Sequence, residues 1–183
     1  MNTLTEERIE LALPKVERGL NQYLWLQNQV HHCNAFVDAE FRKRYGGFYR
    51  LRRNLEWRDH YFRIMEETKD TKLQFGEVLR LLHQHTNRVE ASFTSKLVAT
   101  LDPTQPVIDA IVLQNLGLSL PARTTPDRLT QVEQLHNDIK RRFTTLLGSD
   151  QGQNLVRLFR HRWPDAHITD IKMLDLVLWQ IRP

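Results

Sequence analysis

Apolar positions along this chain recur at three- and four-residue spacing in one segment after another, and alternating runs of strand type are missing. The spacing predicts a first helix over 5–30, with Thr5 as its N-cap and Val16, Leu20, Tyr23 and Leu24 on one stripe. Pro14 is expected to kink this helix or split it in two. A second helix is expected over 35–45, ended by Gly46 and Gly47. Asn54 caps a third that runs to Thr68 and turns Trp57, Tyr61, Ile64 and Met65 to a core, and Phe75, Val78, Leu79 and Leu82 mark a fourth.

A fifth helix over 89–101 stops at Asp102 and Pro103. The next restarts at Pro106 or Val107 and ends at Gly117. The cleanest stripe, Leu129, Val132, Leu135, Ile139, Phe143 and Leu146, lies in a helix over 127–147. Helices over 150–161 and from Thr169 onward close the chain, the last burying Ile171, Leu174, Leu178 and Ile181. The expected fold is therefore all-α: a single compact multi-helix domain over 1–183, with two helical layers about a cleft. Leu135, Ile139, Phe143, Leu174, Leu178 and Trp179 are expected in its core. The helices of 1–70 form a candidate subdomain beside a core over 73–183.

Length and composition narrow the setting. A chain of 183 residues buries roughly two-thirds of its unfolded surface without a disulfide or metal staple. Its one cysteine, Cys33, has no partner, its first residues lack a secretion signal, and no run approaches the roughly 18 apolar residues of a spanning helix. A cytoplasmic protein with no membrane partner is expected.

The net charge of +4 is unevenly distributed. Arg42, Lys43, Arg44, Arg50, Arg52, Arg53, Arg58 and Arg63 crowd into 41–63 against only Glu56 and Asp59, with Tyr45, Phe48, Tyr49, Trp57, Tyr61 and Phe62 interleaved. Lys140, Arg141, Arg142, Arg157, Arg160 and Arg162 form a second basic run. Guanidinium groups pair with phosphate in fork geometry and aromatic faces stack on bases, so Arg42, Lys43, Arg44, Tyr49, Arg50, Arg52 and Arg53 are candidate nucleic-acid contacts. An arginine-rich solvated helix face over an aromatic core explains the same residues.

The stretch over 92–112 carries the most specific pattern. Lys96 precedes an apolar pair and Ala99; a proline-bounded loop follows, then Pro106, Val107, Ile108 and Asp109 and an apolar helix. This order resembles part of the helix-hairpin-helix DNA glycosylases, the 8-oxoguanine branch in particular. The final segment over 168–179, with Asp175 and a Leu-Trp ending, is similar to that of short chains allied to them. The resemblance covers about 30 residues well. It implies a helical scaffold that takes an extruded DNA base, with Lys96 as a Schiff-base amine and Asp109 as the carboxylate that stabilises oxocarbenium charge. The glycine hairpin that precedes the lysine in that family is replaced here by 89–95, which contains no glycine.

Each residue also has a structural reading. Lys96 reads as a solvated helix lysine, and Asp109 as the N-cap of the helix it precedes. Asp175, on the edge of an apolar stripe, needs a buried partner if it is not a site acid, and the 41–63 segment offers cations. Glu90 is a further candidate acid. His31, His32 and Cys33 diverge around a helix, and no second cluster has ligand spacing, so no metal is expected; no phosphate loop or dinucleotide fingerprint calls for a cofactor. Three functions remain open on sequence: a DNA N-glycosylase or AP lyase, a non-catalytic nucleic-acid-binding module with DNA or RNA as partner, and an interaction module for an acidic protein.

Overall fold

The structure, a computed structural model, describes residues 4–71 and 74–182; residues 1–3, 72, 73 and 183 lie outside the described residues. All regular structure among the described residues is helical, in the order α1 (Glu6–Val30), α2 (Ala39–Phe48), α3 (Leu55–Thr68), α4 (Phe75–Thr86), α5 (Ala91–Leu101), α6 (Ala110–Leu116), α7 (Arg128–Leu147), α8 (Asp150–Arg162) and α9 (Asp170–Gln180). The chain is a single all-α domain.

α1 runs unbroken through Pro14. Pro14 and Glu10, whose carbonyl loses its partner to the ring, are both exposed, so water can take that carbonyl. α2 begins later than its apolar pattern suggests: Asn34 Oδ1 accepts from the amides of Phe36 and Val37, holding a turn, and Asp38 then caps the helix by accepting from Phe41 N at 2.8 Å. It also ends later, running through both glycines to Phe48. The left-handed residue that stops it is Arg50, at φ 53°.

Two apolar clusters fill the interior. One joins the first half of α1 to α6, α7, α8 and α9 and includes Leu135, Ile139, Phe143, Leu174 and Leu178. The other joins the end of α1 to α2, α3 and parts of α4 and α5, and is rich in aromatic rings. The clusters do not divide the chain near residue 70, because α1 contributes to both, and α4 and α5 bridge them. Trp179, expected in the core, is only partly buried, since its ring lines the cavity described below.

Short connections demand close approach. The α7–α8 turn passes so near Gly152 that a Cβ there would lie 1.9 Å from the Leu146 carbonyl oxygen, so only glycine fits. At the start of α9, Thr169 Oγ1 accepts from Lys172 N at 3.2 Å and donates to Pro103 O at 2.7 Å, tying the 102–109 loop to the helix. Thr169→Ala is expected to lose about 1 kcal/mol of cap stabilisation and to lower Tm by about 2–4 °C, with Thr169→Ser retaining most of it. Thermal unfolding of the two variants checks this; equal melting of all three proteins would show the cap to be idle.

Candidate active site

Four elements converge on one cavity of about 300 Å³: the end of α2 with Phe48, Tyr49 and Arg50, α5 with Phe93 and Lys96, the start of α6 with Asp109, and α9 with Lys172, Asp175 and Trp179. Local sequence fixes each wall. At the end of α2, Leu51 N donates to Gly46 O at 2.8 Å and Arg50 N to Gly47 O at 3.4 Å, the paired bonds of a Schellman ending. Glycine is the usual resident of the left-handed position in that motif. An arginine there costs about 1–2 kcal/mol through its Cβ. The Arg50 guanidinium lies 5.7 Å from the Trp179 ring centroid, across the mouth of the cavity.

α5 is held by a buried tyrosine relay. The Tyr45 and Tyr61 hydroxyls are 2.7 Å apart, and Tyr61 donates to Phe93 O at 2.8 Å. Lys96, one turn further on, donates from Nζ to Tyr49 O at 3.1 Å and lies 5.1 Å from the Phe93 ring centroid. Burial lowers the pKa of this amine from its ordinary value, with Arg50 and Lys172 adding to the effect. Asp109 and Asp175 oppose the shift without cancelling it.

Asp109 is placed by the loop before α6, where Ile108 N donates to Ser95 Oγ at 2.8 Å. Its Oδ1 accepts from Ile111 N at 2.9 Å, so it caps α6 while lining the cavity. On α9, Lys172 Nζ sits 2.7 Å from Asp175 Oδ2, with both residues buried. Burial opposes the charge on Lys172, but the Asp175 carboxylate outweighs it and raises the ammonium pKa above its ordinary value. Lys172 also lies 4.6 Å from the Tyr23 ring centroid. The far end of α9 is anchored by Asn115, whose Nδ2 donates to Leu178 O at 2.9 Å and to Ile181 O at 2.8 Å.

The cavity thus joins a buried amine of lowered pKa, two carboxylates and the rings of Phe48, Phe93 and Trp179. Such a set can receive a planar group, attack an electrophilic carbon with the amine, and stabilise positive charge as it develops.

Of the residues singled out in the sequence, Lys96, Asp109, Asp175, Tyr49 and Arg50 line this cavity. The remaining basic residues lie elsewhere. Arg42 pairs with Asp59, and its guanidinium sits 5.0 Å from the Phe62 ring centroid. Arg44 pairs with Glu40 at 2.6 Å and stacks over Trp25. Lys43 is exposed on the far side of α2, in a shallow groove it shares with Arg42. Arg52 is exposed, and Arg53 is bound by both oxygens of Glu90, the nearer at 3.0 Å. Asp175 finds its partner three residues back on its own helix, not in the 41–63 segment. The Lys172–Asp175 spacing in an apolar stripe was the available signal. Among the described residues no group of three His, Cys, Asp or Glu side chains is placed to hold a metal, and no helix is long and apolar enough to cross a membrane. No family model matches this chain, nor does any curated protein or solved structure.

Proposed function

We propose that the protein is a DNA N-glycosylase with lyase chemistry, acting on an extruded base in the cytoplasm, with Lys96 as nucleophile and Asp109 as its electrostatic partner. The observation that carries this reading is the lysine itself: an amine whose pKa is lowered by burial, in a cavity that also holds Asp109 and aromatic walls. A volume of about 300 Å³ is at the small end of ligand pockets and suits one planar heterocycle. Extrusion is required because a base in the stack cannot reach an amine inside a pocket.

In the proposed reaction the neutral Lys96 Nζ forms a bond to the sugar C1′ as the bond from C1′ to the base nitrogen breaks. The proton shed by the amine goes to the departing base. Cleavage of the bond from C1′ to the ring oxygen then leaves a cationic Schiff base, whose nitrogen keeps the remaining amine hydrogen. The ring oxygen takes a proton from water by way of Asp109 and becomes a sugar hydroxyl. Asp109 also stabilises the positive charge as C1′ loses the base.

Borohydride reduces such a Schiff base to a stable amine, so a covalent protein–DNA adduct is expected on duplexes carrying 8-oxoguanine or another lesion. Lys96→Gln is expected to abolish the adduct while leaving the melting curve intact, and Asp109→Asn to slow turnover more than it weakens binding. The alternative, a non-catalytic binding module, draws on the structural bonds both residues make, Lys96 to Tyr49 O and Asp109 to Ile111 N. Failure of the wild-type protein to trap on any lesion, with DNA binding retained and Asp109→Ala destabilised by loss of the cap, establishes that alternative.

A further inference from the structure

A shallow groove of about 310 Å³ opens beside the cavity and shares three of its walls, Phe48, Arg50 and Trp179. Its other side is the solvent face of α1, which contributes Lys15 and Arg18. The side chains of Lys15, Arg18 and Arg50 are exposed and have no ion-pair or hydrogen-bond partner among the described residues, and no acidic residue lines the groove. In the 41–63 segment, by contrast, Arg42, Arg44 and Arg53 are paired by Asp59, Glu40 and Glu90.

The floor adds a second observation. Gly47 lies inside α2, at a negative φ, and a Cβ on it would meet nothing within 4 Å. Neither packing nor backbone geometry requires a glycine there, and glycine weakens a helix interior relative to alanine. Its bare backbone leaves open the part of the groove beside Phe48, one of the walls shared with the cavity. Arg50, at the strained position, stands between the two.

We infer that this groove is a phosphate-binding track, in which Lys15, Arg18 and Arg50 hold the DNA backbone beside the nucleotide whose base enters the cavity. The inference rests on the reading of the cavity as a base pocket. A strand whose base turns into the cavity leaves its phosphates at the mouth, beside the groove whose charged lining residues among those described are Lys15, Arg18 and Arg50. Guanidinium and ammonium groups there would displace condensed counterions, making affinity depend on salt.

The test is fluorescence anisotropy of labelled duplexes, with and without 8-oxoguanine, across a salt series. For Lys15→Ala/Arg18→Ala the log-log slope of affinity against salt is expected to be shallower by about 2, near 0.9 for each phosphate that is no longer neutralised. Gly47→Gln, which changes no charge, is expected to weaken binding by filling the floor. Arg123→Ala/Arg157→Ala, which removes the same charge outside the groove, is expected to leave the slope unchanged. An unaltered slope in Lys15→Ala/Arg18→Ala, or an equal change in the control pair, overturns the inference. Borohydride trapping separates the two readings. Salt-dependent binding that Lys15 and Arg18 supply, without trapping on any lesion, keeps the groove and removes the lyase; trapping with binding indifferent to both residues does the reverse.

Discussion

Asp175→Ala is expected to destabilise the protein by about 3–5 kcal/mol, because it leaves the Lys172 ammonium in the interior without its counter-charge. Lys172 is 4% exposed and Asp175 7%, and at 2.7 Å they form the most deeply buried ion pair among those described. Each is stable as an ion only through the other. Lys172→Met alone should be damaging for the mirror reason, stranding a carboxylate beside Asp109 and Tyr49. Lys172→Met/Asp175→Leu, which removes both charges and keeps most of the volume, should recover most of the stability, since an apolar pair of similar size does not have to be desolvated. Urea unfolding of these variants together with Asp175→Leu closes a double-mutant cycle for Lys172→Met and Asp175→Leu, whose coupling term should be large. Additive effects, or a change within about 0.5 kcal/mol for Asp175→Ala, would show that water already screens the pair.

Stability should also fall between pH 6.5 and 4 because of one buried histidine. His136 on α7 is 1% exposed, stacks on Phe75 at 4.1 Å, and has its Nε2 3.3 Å from Pro106 O. Burial pushes its pKa down from 6.5 to about 4, outweighing the bond to Pro106, which favours the cation. Between those values the unfolded chain binds a proton that the folded chain refuses. The stabilisation is therefore complete above pH 6.5 and is lost as pH falls through about 4, amounting to about 3 kcal/mol. His136→Phe, which keeps the ring stack without the titrating group, should remove this component; carboxylates titrating below pH 5 act equally in both proteins and cancel in the difference. Parallel stability–pH curves for wild type and variant would show that His136 titrates normally. Because Pro106 belongs to the loop that delivers Asp109, acid is also expected to loosen the cavity before the whole fold.

The helices were legible in the sequence because each had to bury one stripe. Leu135, Ile139, Phe143, Leu174 and Leu178 lie on the faces their spacing requires, and Thr5, Asn54, Asp109 and Thr169 cap the helices they precede. Where α2 departs from its apolar pattern, short-range polar bonds prevail: Asn34 holds a turn at residues where a helix was expected, and two glycines, permissive rather than prohibitive, are carried through to Phe48.

The site was legible only as a set of residue types. Lys96, Asp109 and Asp175 could be chosen by type and order, but spacing along the chain does not reveal that α5, α6 and α9 meet at one cavity. Charge density in 41–63 pointed to a binding face, yet Arg42, Arg44 and Arg53 each meet an acid, either one turn away on the same helix or too distant in sequence to be visible as a partner. Lys15 and Arg18 are isolated cations on a long helix in the sequence; they line one groove with Arg50 because α1 lies beside the end of α2. The helices, most of their caps and their buried faces follow from periodicity and local hydrogen bonding, so the order of amino acids was enough to set them. Which charges are paired and which stay exposed was fixed only on folding, because burial and pairing depend on which helices come together.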